Sequence, residues 1–170
     1  MKFLFLFATS FLLSSSAWAD FKEGDGAVLF DVGFSDGGIA LGAEYEYGIS
    51  RTHGVGGYVR IFPDDEDEFG QDNVAPGVTA IGAFIRPHFN RQNWDFYVSP
   101  GFGLFMYELG DVDETILGPS LTIGLLYELS AKFSFGFENM RLYRWIGDED
   151  EVDDYNLGTD TFLAKFRMIF

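Results

Sequence analysis

The last twelve residues of the chain, Thr159 to Phe170, alternate without a break. Phe162, Ala164, Phe166, Met168 and Phe170 share one face at period 2, and Leu163, Lys165, Arg167 and Ile169 share the other. A strand keeps two such sets apart, whereas a helix would scatter both around its axis. An apolar face of this kind belongs against a core or against lipid, and one strand does not choose between them. The rest of the chain supplies seven more.

Val28, Phe30, Val32 and Phe34 oppose Asp31 and Gly33. Ile39 to Ile49 alternates against Ala40, Gly42, Glu44, Glu46 and Gly48. The same reading places strands at 54–62, 77–89, 94–107, 116–129 and from Lys132 to about Ile146. The apolar face is continuous, while the other holds Gly, Ser, Thr and a few charges. In the seventh strand Met140 and Leu142 fall on the polar side of the count, which predicts a bulge near Glu138–Asn139. Pro100 and Pro119 sit inside predicted strands, so a local break is expected at each.

The first residues read differently. Lys2, the apolar run Phe3–Leu13 and Ala17-Trp18-Ala19 form a secretory signal peptide. The run is shorter than the roughly 20 residues a membrane helix needs. Residues 1–19 are therefore expected to be cleaved, leaving 20–170 as one domain. No cysteine is present, so no disulfide supports the exported chain. With 27 acids against 11 Lys and Arg, the field of the chain repels nucleic acid.

The connections decide the architecture. Those at Asp36, Pro63–Pro76, Glu108–Thr115 and Gly147–Gly158 share one end and hold 17 Asp and Glu with no Lys or Arg. Those near Arg51, Asn90–Asn93 and Ser130–Ala131 share the other end and are short. Long loops at one end and short turns at the other form the pattern of a transmembrane barrel. A soluble barrel would have to house about forty large apolar side chains inside, more than so narrow an interior holds. The fold expected is an all-β, eight-stranded antiparallel up-and-down transmembrane β-barrel, with the small and charged face inside.

That interior face carries Asp31, Glu44, Glu46, Glu128 and Glu138 with Arg60, Arg86, Lys165 and Arg167. Five acids and four bases in so narrow a space are expected to pair, since an isolated buried ion costs several kcal/mol. Arg60 is predicted opposite Gly42 and diagonal to Glu44, and Asp31 across from Lys165 or Arg167. The apolar face carries aromatics near the strand ends, as membrane-interface girdles do. Tyr45, Tyr47, Trp94, Phe96, Tyr127 and Phe133 lie towards the short turns, and Tyr143 and Trp145 towards the long loops.

With segments such as Phe96–Leu104 (FYVSPGFGL) and Tyr127–Phe135 (YELSAKFSF), the chain from Gly26 to Phe170 resembles the eight-stranded outer-membrane barrel superfamily. That group includes the transmembrane domain of outer membrane protein A, the OmpX/Ail adhesins and the OmpW type. The resemblance implies residence in a Gram-negative outer membrane, contact with its lipid and lipopolysaccharide, and insertion by the barrel assembly machinery. Phe166, Met168 and Phe170 match the family's carboxy-terminal assembly signal, although Lys165 stands where that signal usually has Gly. It also implies a choice of roles: a structural or interaction barrel, preferred here, or a narrow channel or carrier for apolar molecules like the OmpW type.

A lipid A-modifying enzyme is disfavoured. His53 is followed by Gly-Val and His88 by Phe-Asn, unlike the His-x-Ser-Asn run of the deacylase, and both fall near the short turns. His88 reads as a structural lumen residue. The acidic runs Asp64–Glu68 and Asp148–Asp154 could hold divalent cations through carboxylate oxygens, but neither has EF-hand spacing. They read as a solvated, mutually repelling surface whose field favours divalent cations or a basic partner. No cofactor and no dedicated metal site are expected, and a monomer is.

Overall fold

The computed structural model describes residues 21–35, 38–64, 77–109, 112–146 and 161–170. The segment read as a signal peptide and most of the two long acidic runs lie outside them. Eight strands follow in order: β1 Gly26–Ser35, β2 Gly38–Gly48, β3 His53–Phe62, β4 Gly77–Arg91, β5 Trp94–Leu109, β6 Val112–Glu128, β7 Phe133–Leu142 and β8 Phe162–Ile169. Each pairs antiparallel with its neighbours, and β1 pairs with β8 to close the barrel. Closure leaves no sheet edge unpaired, which hydrocarbon would penalise.

Burial follows the two-residue period. Phe30, Val32, Phe34, Ile39, Leu41, Ile61, Ile81, Phe137, Phe162 and Phe166 are exposed on the outer face, with Phe34 at 70%. Leu29, Asp31, Glu46, Arg60, Arg86, Tyr97 and Arg167 are buried inside. Solvent-exposed Phe and Ile in this number would cost heavily in water, and they form a surface suited to lipid.

Two expectations need correction. The loop foreseen at Glu108–Thr115 is mostly strand: Glu108 pairs with Asp113 and Leu109 with Val112, so only residues 110–111 connect β5 to β6. Acidic residues can continue a hairpin ladder where their side chains reach water on both faces. The bulge is not at Glu138–Asn139, where β6–β7 pairing runs unbroken from Ser120↔Leu142 to Glu128↔Ser134. Met140 and Leu142 are simply inside, and Arg141 is outside.

The irregularity lies further on, where Leu117 bridges Ile146. Gly118 and Pro119 there face Tyr143, Arg144 and Trp145, so two residues oppose three. Pro119 explains the site: its carbonyl accepts from Tyr143 N–H at 3.0 Å, but it has no N–H to return.

Pro100 marks a second interruption, shared with Pro87. The β4–β5 ladder pairs Phe84↔Gly101 and His88↔Tyr97 but none of the three positions between. His88 N–H points to β3, donating to Thr52 O at 2.8 Å, so Pro87 turns its nitrogen to β5. Along β5, Asn93 O faces β6 by accepting from Glu128 N–H, and the alternation turns the Pro100 nitrogen to β4. One seam thus loses two donors with no change of register.

Candidate functional site

The interior has three layers. At the end towards the acidic runs, Phe62, Val78, Phe105, Tyr107, Ile116, Met140, Leu142 and Leu163 pack as an apolar plug. At the short-turn end, Phe21 joins Ala27, Leu29 and Ile169. The charged network fills the middle.

Lys165 lies directly across from Asp31 in the closing β1–β8 seam, and Gly42 across from Arg60 in β2–β3. A Cβ at Gly42 would overlap the Arg60 guanidinium, so the missing side chain is the space Arg60 occupies. Gly124 makes the same room for the Tyr97 ring, and Gly82 for Tyr58. These three glycines are sockets for long side chains from the next strand.

Arg60 pairs with Asp31 through Nη1, and through Nη2 with Glu44 and Glu138, both at 2.5 Å. Lys165 Nζ reaches Glu138 at 2.5 Å, Glu44 at 2.8 Å and Asp31 at 3.3 Å. Arg86 continues the chain to Glu44 at 2.8 Å and Glu46 at 2.9 Å, donates to Ser99 Oγ at 2.6 Å, and lies between the Phe84 and Tyr97 rings. Tyr97 O–H donates to Glu138 at 2.7 Å.

From Glu46 the network runs through His88 Nε2 at 2.7 Å, then from His88 Nδ1 to Asp95 at 2.9 Å. Arg167 closes it with Asp95 at 2.6 Å and Glu128 at 3.9 Å. Acids and bases alternate along the whole path, and low-dielectric burial makes each contact strong only because each is answered.

One member escaped the sequence reading: Asp95 stands on the inner face of β5 by simple alternation but was not placed in the network. His88, expected as a structural lumen residue, bridges Glu46 and Asp95. Parity marked the face of Asp95, but its pairing with Arg167 depends on barrel curvature. The interior also holds the apolar plug, beside the charged residues that alternation placed there.

Asp31, Glu44 and Glu138 bring carboxylate oxygens within 4.8 Å of one another, a spacing a metal ion could use. Here the Lys165 ammonium and Arg60 already engage all three acids. The arrangement satisfies its charge from within the chain. His53 sits at an exposed turn, its Nδ1 3.0 Å from Thr52 Oγ1 and 3.4 Å from Ser50 Oγ, with no carboxylate partner among the described residues.

The outer aromatics cluster as pairs. Trp94 meets Tyr127 edge-on with centroids 4.8 Å apart, Phe89 meets Phe96 at 5.9 Å, and Phe133 stacks on Phe166 at 5.7 Å. Tyr45 approaches Phe170 at 6.4 Å, and Tyr47 is exposed nearby. Towards the other end Trp145 meets Phe102 edge-on at 5.4 Å, beside half-buried Tyr143. Met168, between Phe166 and Phe170, is also on the outer face.

No protein-family model matches the chain, and no curated protein matches its sequence. Solved structures do match. The N-terminal β-barrel domain of Pseudomonas aeruginosa OprF superposes with a TM-score of 0.58 at 11% identity, over 87% of this chain and 98% of that one. OprG of the same organism gives 0.58 at 11% identity, over 90% and 99%. Neisserial surface protein A gives 0.57 at 14% identity, over 86% and 95%. The fold is therefore that of the closed, all-antiparallel, eight-stranded outer-membrane barrels.

Proposed function

We propose that this chain is a small integral protein of the Gram-negative outer membrane with a structural or interaction role and a closed lumen. The observation that carries this reading is the filled interior: an apolar plug, an alternating ion network and Phe21 follow one another along the barrel axis. An eight-stranded barrel is only wide enough for side chains to fill it. The apolar outer face supports membrane residence, and the signal sequence supports export. The acidic runs then face outward, where they meet lipopolysaccharide, divalent cations or a basic partner.

Planar-bilayer recording tests the lumen. Purified protein should insert without a large, steady conductance, and a stable current like that of a water-filled porin would refute the closed lumen. Orientation is tested separately. An epitope at Glu66 or Glu151 should be reachable on intact cells, and one at Gln92 only once the outer membrane is opened. The reverse pattern would invert the topology.

A second reading, a carrier for apolar molecules, draws on the β4–β5 seam. The interruption at Pro87 and Pro100 borders an open apolar groove of about 340 Å³ lined by Ala83, Phe84, Ile85, Pro100, Gly101 and Phe102. The apolar plug lies on the inner side of the same barrel. Pro87→Ala with Pro100→Ala would restore both donors, and a carrier should lose uptake of apolar solutes while a structural barrel should not.

A further inference from the structure

The three short connections each carry one strong cation. Arg51 lies between β2 and β3, Arg91 ends β4, and Lys132 precedes β7; all three are exposed. Every Lys and Arg of the lumen network meets a carboxylate. Among the described residues Arg51, Arg91 and Lys132 meet none, in a chain with 27 acids. The connections that hold them contain no Asp or Glu; of the acids near that end, Glu128 lies 3.9 Å from Arg167, and Glu23 and Asp25 stand before β1 beside Lys22.

The positions matter as much as the charges. β2–β3, β4–β5 and β6–β7 are alternate seams of a closed eight-stranded cylinder, so the three cations are spread around its rim rather than gathered in a pocket. Arg91 pairs in register with Trp94, whose ring meets Tyr127, and Lys132 precedes Phe133, stacked on Phe166. Paired aromatic rings of this kind mark the headgroup level. Long cationic side chains at that level carry their charge to the headgroup phosphates while their stems stay on apolar surface.

We infer that Arg51, Arg91 and Lys132 form a collar that binds the phosphates of anionic phospholipids in the leaflet at the short-turn end. A compact soluble anion needs donors that converge, and these diverge around the circumference. A shell of lipid surrounds the barrel and meets all three at once. The acidic connections at the opposite end repel anions, so the preference belongs to one leaflet. This inference rests on the membrane-barrel reading and adds a lipid class to it.

The test uses Trp94, which stands beside Arg91. In the mature chain the Trp145→Phe variant leaves Trp94 as the reporter. It is reconstituted into vesicles of phosphatidylcholine containing either brominated phosphatidylcholine or brominated phosphatidylglycerol at equal mole fraction. Phosphatidylglycerol should quench with about threefold higher apparent lipid affinity at low salt, and the difference should collapse in concentrated salt. It should also collapse when Arg51→Gln, Arg91→Gln and Lys132→Gln are combined, with the heat-modifiable gel shift reporting that the variant is still folded.

Equal quenching by the two lipids in a folded protein overturns the collar and leaves the membrane-barrel reading standing. A preference that survives the triple substitution overturns it too. Quenching preference displaced by soluble peptidoglycan fragments would assign the rim to another polyanion. Failure of the parent protein to insert as a heat-modifiable barrel would remove the reading beneath the inference, and the inference with it.

Discussion

Arg60→Ala is expected to destabilise the folded barrel by about 3–5 kcal/mol, because it removes one partner from a buried ion network and leaves the others. Three carboxylates, Asp31, Glu44 and Glu138, meet at this guanidinium. Lys165 would remain to answer them, with Arg86 reaching Glu44 alone. The truncation also empties the space that Gly42 leaves for the side chain. Denaturant unfolding in lipid vesicles measures the loss. Ile61→Ala on the neighbouring outer position trims only exposed outer-face surface and is expected to cost about 1–2 kcal/mol.

Adding Glu138→Gln to Arg60→Ala should recover part of the loss, since it removes a charge that has lost a partner. An Arg60→Ala loss no larger than that of Ile61→Ala would show that the network contributes little to stability.

Phe170→Asp is expected to separate assembly from stability. In the folded protein Phe170 N–H donates to Gly26 O at 2.9 Å and Gly26 N–H donates back at 3.3 Å, contacts of the main chain that survive any side-chain change. Phe170 is 63% exposed, and its ring lies beside Tyr45 with centroids 6.4 Å apart. A charge near the membrane interface costs only about 0–1 kcal/mol. Refolding of the purified variant into vesicles should therefore be close to wild type.

In cells the same change should leave export intact but strand the protein in the periplasm for degradation. The physical reason is that a terminal aromatic displayed on an unfolded chain is available to an assembly receptor, whatever little it does once folded. A heat-modifiable band at wild-type level in outer-membrane fractions would defeat the idea. A parallel collapse of refolding in vitro would instead make Phe170 a stability residue.

The division between inner and outer faces was legible in the sequence because side-chain direction in a strand has a strict period of two. Phe30, Tyr45 and Phe166 are outside and Asp31, Glu44 and Arg167 inside for that reason alone. Turn residues and loop lengths then set the order of the strands and which connections share an end. The facing of Gly42 by Arg60 followed from one short connection, a local count.

What parity could not reach depended on distance across the barrel. Asp95 was on the inner face from the start, yet its bonds to His88 and Arg167 join β5 to β4 and to β8, which is not its neighbour. The sharing of Glu138 by Arg60, Lys165 and Tyr97 likewise spans β3, β8 and β5 around β7. The apparent phase error at Met140 and Leu142 was no bulge, because apolar side chains belong inside where they meet Phe105 and Ile116 in the plug. The true irregularity waited on Pro119 and the strand opposite it. Alternation along the chain determined which way each residue points; the curvature and stagger of the closed cylinder decided which of them meet.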